Sequence, residues 1–401
     1  MARRVFITVA EASGDQHAGN LIREMRALEP DLIVEGLGGP EMAAAGAIIH
    51  HDTVTHAAMT WKAVFRYIEL GRVLFWTKRY WQENRPDLQI CLDSWTMNWH
   101  WARLAHGMGI PVLYYIPPQV WASRRGRVKY LARWVDRVAC ILPFEERIFQ
   151  DAGVEATFVG HPLFDALPRH APRPAEDRFP QRPPIIALVP GSRSSVAREN
   201  FPHLLDVARR ICQEFPEARY LIPTMPGTHQ WVRKILESAE GAVHADGEML
   251  TVGKYTVGMN QFDEMLPQCD LCISVSGTAT LHAAGLGVPL IVVYRLNPIH
   301  WHLVGRWVVK TRTYSLVNLL NEGHQQIVPE YVPWYGSNAA VANKALEFLR
   351  DPSLLDQQRE RMENLMRTLN RPGASHNAAK VAMDMMDARK KTHAGGITIA
   401  R

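Results

Sequence analysis

Short apolar runs alternate with longer stretches whose apolar positions recur every third or fourth residue, from the first residues of the chain onward. Runs at 5–10, 32–37, 88–92, 110–115, 137–142 and 155–159 read as strands, and helical patterns near 16–28, 62–82, 98–107 and 143–151 separate them. Strand and helix in strict alternation predict a mostly parallel sheet covered on both faces. Residues 168–184, dense in proline and charge, read as a linker. The alternation restarts at 185–189, with a helix near 197–214 and strands near 219–222, 270–275 and 288–294, and the pattern after Asn338 is helical to about 388. The prediction is therefore an α/β protein with two Rossmann-like domains facing a cleft. The domains are expected at 1–167 and 185–388, with C-terminal helices as candidates to complete the first and a tail at 389–401. Ligands of such sheets sit beyond the carboxyl ends of the strands, so chemistry belongs in the loops after them.

Composition agrees with this organisation. A chain of 401 residues exceeds what one core usually supports, and 47% hydrophobic with 21% charged residues is the balance of a globular enzyme. No apolar run approaches the roughly 18 residues of a bilayer-spanning helix. The start, Met1 to Ala10, reads as the first strand of a cytoplasmic protein. A net charge of +5 favours acidic partners such as phosphates or an anionic membrane face. Cys269 and Cys272 form a CxxC without a second pair and run into a strand pattern, so they read as buried thiols. Histidines 50, 51, 100, 106, 300 and 302 have no HExxH-like arrangement, and no bound catalytic metal or other cofactor is expected.

Two loops of the second half are suited to phosphate. Gly191 permits close backbone approach, Ser192 and the loop amides can donate, and the planar Arg193 can bind phosphate oxygens with paired hydrogen bonds. The competing reading is a glycine turn with a surface arginine, and Arg198 is a second cation there. Ser276, Gly277 and Thr278 end a strand and open a helix whose first amides lack internal partners, although serine and threonine are also ordinary caps. In the first half, the strand-to-helix turn Glu11, Ser13, Gly14, Asp15 and His17 carries two acids that would repel a pyrophosphate, so a sugar acceptor is the better guest. Asp93 follows the run 88–92 and is the leading candidate for a general base, with His17 and His161 as competitors.

The segment 113–129 mixes aromatics with cations and suits a phosphorylated acceptor, a bilayer surface or a solvated helix face; no nucleic-acid module accompanies it. The stretch 61–81, with Phe65, Ile68, Phe75 and five tryptophans or tyrosines among basic residues, reads either as an interfacial helix or as a core helix with a wet back.

Taken together, the motifs resemble those of lipid-A-disaccharide synthases, inverting glycosyltransferases of outer-membrane lipid A assembly. The likeness runs from Val9 to about Met386 through AEASGD at 10–15, GLGGPEM at 36–42, YYIPPQVWA at 114–122, LPFEE at 142–146, VGHPL at 159–163, PGSR at 190–193, SGTATL at 276–281, YSLVNLL at 314–320 and VPE at 328–330. The resemblance implies the glycosyltransferase B fold. It also implies transfer of 2,3-diacylglucosamine from its UDP conjugate to 2,3-diacylglucosamine 1-phosphate, giving a β-1,6 disaccharide and UDP. It makes Asp93 and Arg193 catalytic and adds His282, Asn318 and Glu330 to the donor site and Asn98 and Gln119 to the acceptor site. Homodimers and peripheral association with the cytoplasmic face of the inner membrane are further implications. The chain departs from the pattern at Ala10, Thr96, His282 and Val317. His282 stands where a glutamate is usual, which keeps open a diverged transferase with another acceptor, epimerase or hydrolase chemistry on a UDP-sugar, and a non-catalytic lipid- or nucleotide-binding protein.

Overall fold

The computed structural model describes residues 2–54, 63–121, 125–167, 174, 177–241, 244–246, 249–295, 313–321, 325–369 and 371–394. The chain divides into two units, Met1–Asp165 with Asn370–Arg401, and Ala166–Leu369.

In the first unit, strands β1 (Arg4–Thr8), β2 (Ile33–Gly38), β3 (Ile48–Asp52), β4 (Leu88–Leu92), β5 (Val112–Tyr115), β6 (Arg137–Cys140) and β7 (Glu155–Phe158) form one sheet in the order β3-β2-β1-β4-β5-β6-β7. Every pairing is parallel. Alternate side chains explain why both faces are apolar. Val5, Ile7 and Val9 meet Leu21, Ile22 and Met25 of helix α1 (Ala12–Leu28), whereas Phe6, Cys91, Val112 and Tyr114 pack with Trp81, Trp101 and Trp134. The winding reverses between β1 and β4, so the loops after these neighbouring strands part to opposite faces and open a crevice.

The C-terminal helix Ala374–Ala394 belongs to this unit, where buried Ala378, Ala379 and Ala382 let it lie close on the α1 side of the sheet. Its docking explains VGHPL: Gly160 has φ +101°, and a Cβ there would stand 2.3 Å from the Arg371 carbonyl. The helix also runs to Ala394, beyond the Arg389 at which a tail was expected. Helix Ala63–Glu83 presents Leu70, Val73, Leu74, Trp76 and Tyr80 to the core and leaves Phe75 65% exposed, which makes its described part a core helix. The side chains of Phe65 and Ile68 lie outside the described residues.

The second unit has strands β8 (Ile185–Val189), β9 (Arg219–Thr224), β10 (His244–Asp246), β11 (Met249–Val252), β12 (Tyr255–Met259), β13 (Leu271–Val275), β14 (Leu290–Val293) and β15 (Glu330–Tyr331), in the order β10-β11-β12-β9-β8-β13-β14-β15. Only β10, β11 and β12 pair antiparallel. Its reversal falls between β8 and β13. Part of the expected linker is anchored here: Asp270 accepts hydrogen bonds from the Phe179 and Ile185 amides and pairs with Arg182 at 2.9 Å, and Phe179 packs on the core. Residues 177–184 are thus part of the second unit rather than free connection.

Candidate active site

Asp93 extends β4 at the reversal of the first sheet. Its φ of +56° is a left-handed conformation that aspartate tolerates better than most residues, and the surroundings fix it there. The Asp93 carbonyl accepts from Tyr114 Oη at 2.6 Å and from Asn98 Nδ2 at 3.2 Å, while its amide donates to the Tyr115 carbonyl at 3.2 Å. Gly14, in the first turn of α1, lets that turn rest on the strand end: a Cβ at Gly14 would be 2.8 Å from Val9 Cγ1 and 3.5 Å from Asp93 Cβ. Burial raises the Asp93 carboxyl above its usual range, the Glu11 carboxylate adds to this, and the Ser94 amide opposes it. A carboxylate so raised is a stronger base than one in water. Neighbouring β5 also ends in a left-handed residue, Ile116 at φ +55°, which is unusual for a β-branched side chain and marks the loop leading to exposed Gln119 as tightly constrained.

Glu11 and Ser13 are exposed at the start of α1. Burial lowers the pKa of both histidine competitors: His17 lies below the ordinary value, and His161 is lowered to about 4, with His17 contributing. His161 Nδ1 also accepts from the Leu163 amide at 3.1 Å.

Two expected acceptor contacts are instead parts of the scaffold. Asp15 is 1% exposed, and its carboxylate accepts from the amides of Gly39 and Glu41 at 2.9 Å and of Met42 at 3.3 Å. It caps the short helix Pro40–Ala44, and Gly39 is required because a Cβ there would stand 2.6 Å from Asp15 Oδ2. The AEASGD and GLGGPEM motifs are two halves of one clasp. Asn98, fully buried, donates to the Leu92 carbonyl at 2.7 Å and accepts from Thr8 Oγ1 at 2.7 Å, so it positions Asp93 and has no edge left for a ligand.

At the reversal of the second sheet, the loop after β8 carries Gly191 (φ +102°), Ser192 and Arg193, and the loop after β13 carries Ser276, Gly277 and Thr278. They are neighbours, since a Cβ at Gly191 would lie 3.7 Å from Val275 Cγ1. Arg193 precedes the helix Ser194–Cys212, is exposed, and has no ion pair among the described residues. The helix Thr278–Gly285 starts at the second loop, so the free amides of two helix starts lie on neighbouring loops, the first of which also carries the Arg193 guanidinium. Arg198, the second cation, lies 4.2 Å from the Trp231 ring instead. Ser276 Oγ donates to the Tyr314 carbonyl at 2.6 Å, tying the loop to 313–318.

That segment corrects two further expectations. Asn318 donates to the Val328 carbonyl and Glu330, and accepts from the Ile327 and Val328 amides, which exhausts an amide side chain. Glu330 accepts from the Tyr314 and Ser315 amides, Ser315 Oγ and Asn318. Asn318 cannot hold the donor directly, and Glu330 is committed to the same internal network; both brace the loop behind Ser276. His282 lies one turn into the helix Thr278–Gly285 with Nε2 2.6 Å from Asp263 Oδ1; burial lowers its pKa and Asp263 pulls the other way.

Three contributors escape a sequence reading. Tyr114 lies within a quoted motif, yet only the fold aims its hydroxyl at Asp93. Glu145 is 1% exposed, caps helix Pro143–Gln150 through the Leu142 amide and accepts from Trp121 Nε1 at 3.0 Å; burial pushes its carboxyl up to about 7. A glutamate three residues into a helix that begins after Leu142 is the signal that could have found the cap. Asp263 leaves no signal, being one acid in an unremarkable turn.

Comparison with known proteins bears on the family and the fold. A family model described as lipid-A-disaccharide synthetase matches residues 5–385. The lipid-A-disaccharide synthase of Nitrosococcus oceani is 33% identical over 388 residues, covering 96% of each chain, and that of Geobacter sulfurreducens is 31% identical over 389 residues, covering 96% of this chain and 98% of its own. Among solved structures, the UDP-GlcNAc 2-epimerase of Neisseria meningitidis bound to UDP-GlcNAc has a TM-score of 0.59 at 12% identity, over 97% of this chain and all of that one. MurG of Acinetobacter baumannii has a TM-score of 0.54 at 15% identity, over 95% and 99% of the two chains. These structural likenesses carry the fold. With the sequence relatives and the family match they lead to one conclusion: the chain belongs to the lipid-A-disaccharide synthetase family and is a glycosyltransferase.

Proposed function

We propose that the second unit binds the diphosphate of UDP-2,3-diacylglucosamine at Gly191–Arg193 and Ser276–Thr278, and that the first unit directs the 6-hydroxyl of 2,3-diacylglucosamine 1-phosphate to Asp93. The observation that supports this best is the pair of loops at the second sheet's reversal, where an arginine and two helix starts offer donors to one anion. Inversion requires the hydroxyl to attack opposite the departing UDP. Asp93 removes its proton as the new bond forms, and the charge developing on the leaving diphosphate is met by Arg193 and the oriented amides. Glu11, Ser13 and Gln119, all exposed near the first reversal, are the proposed acceptor contacts, with Gly14 and His17 in the same turn as Glu11 and Ser13.

The test is product analysis with both substrates. Arg193→Ala should lose turnover by orders of magnitude while the protein stays folded, and wild-type turnover should persist in EDTA, because the guanidinium and amides carry the charge. Near-normal kcat/KM in Arg193→Ala, or a strict need for Mg²⁺, would sink the assignment.

A peripheral position on the inner membrane's cytoplasmic face and a homodimer belong to the same proposal. No described helix is long and apolar enough to cross a membrane. A surface of the first unit does combine aromatic and cationic groups: Tyr130, 52% exposed, stacks on Trp134 and Trp134 on Trp99, with Arg127 over Trp95 and Arg103 over Trp134. Binding to anionic vesicles that is released by salt supports the contact. Sedimentation of the free protein tests the dimer.

A further inference from the structure

The acceptor brings a phosphate to a strand end that is already acidic, since the Glu11 carboxylate acts on Asp93 as a second negative charge. In a glucosamine 1-phosphate the phosphate stands on C1, across the sugar ring from the 6-hydroxyl. A 6-hydroxyl at Asp93 therefore leaves a group of charge about −1.5 to −2 one ring away. The two carboxylates repel such a group unless a cation meets it.

The sheet order decides on which flank that cation stands. Glu11 follows β1 and Asp93 follows β4, while β5 lies beyond β4 on the other side. The chain that leaves β5 reaches the turn Arg125–Arg127, where the Arg127 guanidinium lies 5.7 Å from the centroid of the Trp95 ring. Trp95 opens the helix Trp95–Gly107, directly after Asp93 and Ser94. A second observation places the same charge from the β5 side. Burial raises the Tyr114 hydroxyl well above its ordinary value, Cys91 and Asp93 add to this, and Arg127 works against it. That hydroxyl is the one that donates to the Asp93 carbonyl at 2.6 Å. Arg127 is thus bracketed by two groups attached to Asp93, on the flank away from Glu11. Arg127 and Trp95 are both partly exposed, so a ligand can reach them. An indole face steadies a guanidinium while its edge N–H groups can donate in pairs, the geometry that suits a phosphate.

We infer that Arg127, laid on Trp95, binds the 1-phosphate of the acceptor and makes the site selective for a phosphorylated sugar. The inference rests on the reading of Asp93 as the base for the acceptor hydroxyl. It also sets Arg127 apart from Arg103, which lies 6.0 Å from the Trp134 ring on the same aromatic and cationic surface.

The experiment compares kcat/KM for 2,3-diacylglucosamine 1-phosphate and for 2,3-diacylglucosamine without the phosphate, both dispersed in detergent so that no bilayer is present. The wild-type protein should prefer the phosphorylated acceptor by on the order of 10- to 100-fold, as expected for charge-assisted hydrogen bonds. Arg127→Ala should reduce that preference to less than about 3-fold, through a raised KM for the phosphorylated acceptor with kcat largely kept, because the phosphate takes no part in the bond change. Arg127→Lys, which keeps the charge without the fork, should give an intermediate ratio, and Arg103→Ala the wild-type ratio. Arg127→Gln is read in the same way as the alanine variant if the latter fails to fold. An undiminished preference in Arg127→Ala, or equal loss with both acceptors, overturns the inference. Binding to anionic vesicles tests the other source of phosphate: loss of vesicle binding in Arg127→Ala with an unchanged acceptor ratio assigns Arg127 to the bilayer and overturns the inference as well. Asp93→Asn separates this from the underlying reading. It should slow both acceptors alike and keep their ratio, and undiminished turnover there would remove the reading of Asp93 itself.

Discussion

Replacing Asn98 by alanine tests whether the scaffold around Asp93, as distinct from its carboxylate, governs turnover. The change removes three hydrogen bonds, to Thr8 Oγ1 at 2.7 Å and the Leu92 carbonyl at 2.7 Å, both buried, and to the part-buried Asp93 carbonyl at 3.2 Å. At about 1 kcal/mol each the loss is roughly 3 kcal/mol, which for a unit of this size lowers Tm by roughly 6 to 12 °C. Tyr114 Oη still holds the Asp93 carbonyl, so the strand end should persist. With one of its two side-chain tethers gone, the left-handed residue can relax, and a displacement near 1 Å costs about 100-fold in rate. The expected result is a folded, less stable protein whose kcat falls by about that factor while UDP affinity, which the proposal assigns to the second unit, is unchanged. A thermal melt, a disaccharide assay and UDP calorimetry read the three quantities. A folded Asn98→Ala protein with wild-type kcat, or one whose defect lies in UDP affinity, would refute the reasoning.

Asp93→Asn keeps a residue type that tolerates positive φ but removes the proton acceptor, so kcat should drop by about 10²- to 10⁴-fold with UDP binding retained. The folded carboxyl of Asp93 lies above its unfolded value, so ionising it costs stability as pH rises through that window; thermal melts at neutral pH should find Asp93→Asn no less stable than wild type. The same sign applies to Glu145, whose contribution to stability should decline between the ordinary glutamate range and about pH 7, a slope in Tm against pH that Glu145→Gln should flatten. Asn318→Ala strips four hydrogen bonds from the loop behind Ser276 and should lower Tm and UDP affinity together, measured by melting and calorimetry.

The parallel architecture was legible because central strands buried on both faces read as unbroken apolar runs, as at 88–92 and 271–275. Edge elements were not. The hairpin of β10, β11 and β12 is short and mixed in polarity, and β15 has only two residues, so neither leaves a periodicity. The boundary of the expected linker failed for a different reason: the residue that anchors 177–184 is Asp270, far downstream, and a local composition of proline and charge cannot reveal a distant clasp. The return of the C-terminal helix to the first unit is of the same kind, since Gly160 and Arg371 meet only in the fold.

The site residues divide along a line that residue type alone does not draw. Asp15, Asn98 and Asn318 belong to the polar types from which ligand contacts are made, and they lie in or beside motifs that carry the family likeness. Their burial and saturated hydrogen bonds leave them no capacity for a substrate. Arg193, Ser192, Thr278, Glu11 and Ser13 differ in that their side chains stay exposed at strand ends, where a ligand can still reach them. A buried clasp and an exposed contact both demand a specific polar side chain, one because an unmet donor in the interior is costly and the other because chemistry needs it. Counting the hydrogen-bonding edges that remain after folding separates the two.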